Sequence, residues 1–276
     1  MKKYLFSATI LLLASLSFPL ELAAENLRIV SLAPALTEIV CKLGGEKYLV
    51  GRCGACDYPE SVKKLPAAGS FGIPELEKIL SLKPDWVIGN DLMNPNTARK
   101  LSRIGIATNF RQINDLDDYI CWLKTIGNKL NKQDSVNAEL TKIDTRLKQL
   151  KQCRQLPIKV LWVVNAKPLI VAGRGSLPEY ALNLMQAENA AKDTPAAYYK
   201  CSVEWLLTAD IDVVIWNVPN APAKSDRVWG KVRAIRENRI IELAITDPVT
   251  RPGPRFLDAV LRVRKMLENI TESSRK

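Results

Sequence analysis

The sequence predicts an α/β protein of two Rossmann-like lobes joined by a single long backbone helix, with a ligand cleft between the lobes. Three observations carry that expectation. Apolar runs with strand character alternate with segments of helical periodicity, the pattern of parallel sheets covered by helices. The stretch Asp134–Leu150 places Val136, Leu140, Ile143, Leu147 and Leu150 at steps of three and four, with no Gly or Pro between them. Residues 77–88 (EKILSLKPDWVI) and 204–215 (EWLLTADIDVVI) share Glu77/Glu204, Leu80/Leu207, Asp85/Asp212, Val87/Val214 and Ile88/Ile215 at a fixed offset of 127. A helix–strand unit is thus repeated on either side of the long helix. The resulting division is a leader over 1–24, an N-terminal lobe over 25–131, the backbone helix over 132–153 and a C-terminal lobe over 154–276.

In chain order, Arg28–Leu32 reads as a buried strand. The helix Pro34–Leu43 follows and is stopped by Gly44-Gly45, since glycine supplies a left-handed cap. Tyr48–Gly51 is a second strand. Pro74 and Glu75 open a helix whose Leu76, Ile79, Leu80 and Leu82 keep helical spacing until Pro84. Trp86–Ile88 is a strand, 95–104 a helix and Ile106–Phe110 a strand. A helix over Leu116–Leu130 then precedes the long one. Beyond it come strands at Ile158–Val164 and Leu169–Val171, a helix near Leu177–Met185, the repeated unit, a strand at Arg239–Leu243 and a closing helix from Pro254 to Leu267.

The first 24 residues are set apart from this fold. Lys2 and Lys3 precede an uncharged apolar run, Tyr4–Phe18, too short for a membrane span; Pro19 breaks it, and Leu22-Ala23-Ala24 offers a cleavage site. A signal peptide cleaved near Ala24 is expected, followed by a soluble periplasmic protein. No cysteine precedes Cys41, so a lipid-anchored amino terminus is not expected.

The chain contains no histidine. That excludes the Ser-His-Asp triad, His-assisted cysteine catalysis and His-ligated zinc or haem. No P-loop, G-x-S-x-G or complete G-x-G-x-x-G is present; Gly173-Arg174-Gly175 begins like a phosphate loop, but Pro178 stands at the third glycine. No catalytic constellation remains, so the protein is not expected to be an enzyme. The net charge of +11 is concentrated in the C-terminal lobe, where Arg227, Lys231, Arg233, Arg236 and Arg239 are interleaved with Asp226 and Glu237. This is a solvated basic face, or a weak attraction for an anionic ligand or membrane surface, and not a nucleic-acid site. Six cysteines are present, and Cys53-Gly54-Ala55-Cys56 has C-x-x-C spacing. Redox or metal chemistry, a structural disulfide and plain buried thiols are all compatible with it.

Two α/β lobes bind ligands where the carboxyl ends of their strands face each other. The repeat offset places an aromatic, Phe71 or Tyr198, six residues before the Glu of each unit. Opposed across a cleft, the rings suit a large flat or apolar ligand, although both could also serve their own lobe cores. The Pro-rich loop Asp247–Arg255, with Arg251 in it, fits a preorganised polar contact.

The segments RIVSLAPALTEIV (28–40), CDYPESVKKLP (56–66), GSFGIPELEKILSLKPDWVI (69–88), SVEWLLTADIDVVI (202–215) and TDPVTRPGPRFLDAV (246–260) resemble a known family. It is the helical-backbone (class III) periplasmic binding proteins, which serve ABC importers of cobalamin, haem and ferric siderophores. The first two segments look most like the cobalamin-binding members. The resemblance implies a monomeric, non-enzymatic receptor with no resident cofactor or metal, whose ligand is a cobalt corrinoid or an iron chelate. Pro34, Phe71, Tyr198 and Asp247 would line the cleft, with Arg251 beside them. Phe71 and Tyr198 stand where cobalamin binders commonly carry tryptophan, and Ala55 where they tend to carry an aromatic. A corrinoid ranks first, a ferric siderophore second, and haem, which would need Tyr198 or Tyr199 as ligand, third. Glu77 and Glu204 would meet arginines of an inner-membrane permease coupled to its ATPase. An exported redox protein using Cys53 and Cys56 is the rival of a different class.

Overall fold

The computed structural model describes residues 26–90 and 95–273; the expected signal peptide lies outside them. The first sheet is built from β1 (Ile29–Ser31), β2 (Leu49–Arg52), β5 (Trp86–Gly89) and β6 (Ala107–Phe110), all parallel, in the order β2-β1-β5-β6. Between β1 and β2 runs α1 (Pro34–Lys42), entered by Pro34 in its first turn. It ends where Gly44, at φ 73°, lets the Gly44 and Gly45 amides donate back to the Cys41 and Val40 carbonyls at 2.9 and 2.8 Å. That is the expected left-handed stop. A small hairpin, β3 (Gly69–Ser70) with β4 (Ile73–Pro74), precedes α2 (Leu76–Ser81); α3 (Pro95–Arg103) joins β5 to β6.

Two helices leave this lobe. α4 (Leu116–Leu130) is capped by the Asp115 carboxylate, which accepts from the Asp118 amide, and α5 (Gln133–Lys151) is the expected backbone helix. They cross closely: a Cβ at Gly127 would lie 2.1 Å from Val136 Cγ2. Inside the crossing, Tyr119 donates to Glu139 Oε1 at 3.0 Å, and Lys42 reaches Glu139 Oε2 at 3.1 Å. The buried carboxylate therefore has a partner on each oxygen, as burial requires.

The second sheet has the order β10-β8-β7-β11-β12 and comprises β7 (Lys159–Asn165), β8 (Ile170–Ala172), β10 (Tyr198–Lys200), β11 (Val213–Trp216) and β12 (Ile240–Glu242). The two-residue β9 (Glu188–Asn189) pairs with β7. Its helices are α6 (Leu177–Leu184), α7 (Val203–Thr208), α8 (Arg233–Arg236) and α9 (Phe256–Ser273). This sheet departs from the parallel pattern of the first: β7, β11 and β12 are parallel, but β8 runs antiparallel to both β7 and β10. The four-residue link Ala166–Leu169 is far too short for a crossover, so the chain can only fold back as a hairpin. The closing helix also runs past Leu267 to Ser273, because Ile270 continues its apolar stripe onto the core.

The sequence repeat is a structural repeat. α2 and α7, and likewise β5 and β11, begin and end at positions 127 apart. Asp85 Oδ2 accepts the Arg28 amide at 2.8 Å, and Asp212 Oδ2 accepts the Lys159 amide at 2.8 Å. Each Asp pins its unit to the start of the neighbouring strand. One correction concerns Leu80, read as part of the apolar face: Leu80 and its counterpart Leu207 are 37% and 41% exposed.

One core continues through both lobes by way of α1, α4, α5 and α9, with Trp122 and Trp162 fully buried in it. Removal of either ring would cost about 3–5 kcal/mol. Asp258 ties α9 to α5 through Lys142 (2.8 Å) and Arg146 (2.7 Å). Buried Arg264 anchors α9 to the carbonyls of Met185 and Arg154.

Candidate ligand-binding cleft

The carboxyl ends of the strands place loops from both lobes around a cavity of about 510 Å³. From the first lobe, the chain after β1 contributes Ala33 and Pro34, the turn after β2 contributes Gly54, Ala55 and Asp57, and Asn90 follows β5. Phe71 stands at the tip of the β3–β4 hairpin. From the second lobe come Tyr198 at the start of β10, Leu177 at the start of α6, and the loop Ile245–Pro252 after β12.

Phe71 and Tyr198 both line this space, 44% and 55% exposed, so neither ring is spent in its lobe core. Desolvation pushes the Tyr198 phenol above its ordinary range. Tyr199 faces elsewhere and packs edge-on to Trp205 at 6.3 Å.

The Pro-rich loop behaves differently from its sequence-level reading. Arg251 does line the cavity, but its Nη1 is held by Asp57 Oδ1 at 2.6 Å and lies 3.7 Å from Glu38 Oε1. Arg255 makes a bidentate bond to Glu38 (2.6 and 2.8 Å), with its guanidinium 3.8 Å above the Tyr58 ring. Glu38, on α1, is only 4% exposed at its side chain. Two arginines of one lobe thus interlock with two carboxylates of the other. Asp247, expected to line the cleft, is not in the cavity wall. Its carboxylate accepts the Val249 amide at 3.0 Å and pairs with Arg262 Nη2 at 2.6 and 2.7 Å, so it shapes the loop.

Sequence reasoning missed Glu38 and Asp57, whose partners lie some two hundred residues away, and the polar lining groups Asn90, Asn114, Thr246 and Thr250. Asn90 is almost wholly buried, and its Oδ1 has no hydrogen-bond partner. Glu77 and Glu204 are exposed in the first turns of α2 and α7, away from the cavity. Among the described residues no cluster of three or more metal-ligating side chains occurs, and no helix is long and apolar enough to cross a membrane.

A family model for periplasmic binding proteins matches residues 29–245, which takes in both sheets and the helix between them. The chain belongs to the periplasmic binding protein family. Its relatives include a vitamin B12-binding protein of Vibrio parahaemolyticus, 26% identical over 251 residues that cover 88% of this chain and 90% of the relative. The solved periplasmic vitamin B12-binding protein of Vibrio cholerae superposes with a TM-score of 0.74 at 25% identity, covering 88% of this chain and 97% of its own. A periplasmic heme-binding protein from Pseudomonas aeruginosa reaches a TM-score of 0.77 at 27% identity, covering 87% of this chain and 92% of that one. The two-lobe, helix-braced architecture is therefore that of a substrate-binding transport protein homologous to vitamin B12-binding proteins.

Proposed function

We propose that this periplasmic binding protein captures a corrinoid, cobalamin or a close relative, and delivers it unchanged to an ABC permease and its ATPase. The carrying observation is the charge state of the cleft. Among the described residues, Asp57 and Arg251 are the two charged ones in the wall, and they neutralise each other at 2.6 Å. The remaining wall is apolar or carries amides and hydroxyls, with Phe71 and Tyr198 available to pack on a macrocycle. A corrin ring edged with neutral carboxamides suits such a wall, where each peripheral amide finds a neutral partner. Haem propionates or an anionic ferric siderophore would want an unpaired cation.

The protein works as an exported monomer. The exposed Glu77 and Glu204, at equivalent places on the two lobes, dock onto permease arginines, with Leu80 and Leu207 beside them as apolar contacts. Calorimetry of the mature chain with cyanocobalamin, dicyanocobinamide, haemin and a ferric siderophore tests the ligand. A corrinoid should saturate with a Kd between about 1 μM and 1 nM, some −8 to −12 kcal/mol, and be recovered intact. Saturation by haemin or the siderophore alone would overturn the corrinoid reading.

A further inference from the structure

Two of the six cysteines are held together beneath the cleft wall, and the binding chemistry above makes no use of them. β2 ends at Arg52, and the chain reverses through Cys53-Gly54-Ala55-Cys56. The turn is closed by the Cys56 amide donating to the Cys53 carbonyl at 3.0 Å. Such a turn keeps its first and fourth Cα atoms within about 7 Å, near the span that a disulfide bridges. The two sulfurs are 3.2 Å apart and both side chains are buried. No other pair of sulfurs is in contact among the described residues.

Hydrogen bonds from the surroundings position this turn. Arg52 donates to the carbonyls of Cys53 (3.0 Å), Gly54 (3.2 Å) and Lys63 (3.1 Å), and Thr37 Oγ1 lies 3.1 Å from Cys56 Sγ. The hydrogen bond from Cys56, helped by backbone donors and by the Arg52 charge, overcomes burial and draws the Cys53 thiol down to about 7. The same bond, together with burial, pushes the Cys56 thiol up. One thiol is thus poised as the nucleophile and the other remains protonated until it is needed. Among the described residues no third metal-ligating side chain joins the pair, which argues against a metal as its reason.

We propose that Cys53 and Cys56 are a disulfide modification site in the cleft wall, whose oxidation fixes the Gly54–Asp57 segment and thereby tightens ligand binding. The covalent part stands on geometry alone, whereas its occurrence in the cell rests on the exported location proposed above. The oxidant is a disulfide, from a protein or from glutathione. The Cys53 thiolate attacks one of its sulfurs, forming a mixed disulfide and releasing the other sulfur as a thiolate. Cys56 then gives up its proton, attacks Cys53 Sγ and expels the second sulfur. Two electrons pass from the cysteine pair to the oxidant, and the two protons end on the oxidant's two sulfurs. The bond closes a remaining gap of about 1 Å. It braces Asp57, which grips Arg251 across the cleft.

Trypsin releases both cysteines in one peptide, Cys53–Lys63. The mature chain is reduced and exposed to oxidised glutathione, once folded and once while refolding from urea, so that burial of the thiols does not decide the result. Samples are quenched with iodoacetamide and digested. The peptide should be two hydrogen masses lighter and unalkylated, with the rate of exchange by the folded chain rising with pH through about 7. Alkylation of both sulfurs after refolding, or stable glutathione adducts on either, would overturn the pairing. The peptide from protein recovered from the periplasm without reductant should match. If it carries free thiols while the glutathione samples are bridged, the pair stands as chemistry and its oxidation in the cell falls. In calorimetry the oxidised chain should bind dicyanocobinamide several-fold more tightly than the reduced chain or Cys53→Ser. Equal affinities would overturn the coupling to binding. No binding by any form would instead overturn the corrinoid reading and leave the mass result intact.

Discussion

The helix–strand unit α2–β5 and its counterpart α7–β11 have equal lengths and the same carboxylate anchor, yet they reach the cleft by different routes. In the first lobe the aromatic sits on the tip of a free-standing hairpin, and α2 begins at Glu75 with no side-chain cap. In the second lobe the aromatic sits on an edge strand of the main sheet, and α7 is capped by Ser202 Oγ, which accepts the Trp205 amide at 3.1 Å. Asp212 also pairs with Arg233, whereas Asp85 has no ion pair of its own among the described contacts. What the two units retain is their anchor to the neighbouring strand and their outward surface. What faces the ligand is built separately in each lobe. A repeat can thus keep its anchor and its outward surface while leaving the cleft wall free to diverge.

The largest test of this comparison is reversal of charge on both outer surfaces. Glu77→Lys with Glu204→Lys should abolish uptake through the cognate permease while leaving ligand affinity near wild type, because two attractions become two repulsions far from the cleft. If the units are equivalent in docking, each single reversal should cost a similar part of transport. An effect confined to one lobe would break the equivalence.

Next in size is the link between the lobes. Glu38→Gln leaves Arg255 and Arg251 without their buried partner and should lower unfolding stability by about 3 kcal/mol, read as a smaller urea midpoint. Phe71→Ala and Tyr198→Ala should each weaken ligand binding by about 1–3 kcal/mol with the melting temperature of the free protein nearly unchanged. A fall in melting temperature for one alone would show that its ring serves packing in that lobe. The smallest contrast lies at the helix starts. Ser202→Ala should cost about 1 kcal/mol, whereas Glu75→Ala, which loses only an exposed ion pair with Lys78, should be close to neutral in the same melts.

Much of the fold was legible because its signals are local. The steps of three and four in 134–150 specify α5, the glycine pair after Leu43 stops α1, and the repeat aligns two units whose helix and strand begin and end in register. The antiparallel β8 was also within reach, since Ala166–Leu169 leaves no room for a crossover. The site was less legible. Glu38 and Arg255 are 217 residues apart, and Asp57 and Arg251 are 194 apart, so no local pattern marks either pair. A loop with one Asp and two Arg reads as polar and rigid, but the sequence does not say which charge turns inward. Asp247 turns to Arg262, and Arg251 turns to the other lobe.

The interlock of Glu38 and Asp57 with Arg251 and Arg255 also sets how a ligand arrives. Pulling the lobes apart would break the bidentate Arg255 pair and the Arg251 contact on a nearly buried carboxylate, which favours a slot that stands formed before anything enters it. Entry is then expected to be a single collision with no preceding isomerisation. The observed association rate should then climb in proportion to ligand concentration without reaching a plateau, at about 10⁵–10⁷ M⁻¹s⁻¹. Residence in the slot should then be set by the dissociation rate alone, read as a single exponential on dilution.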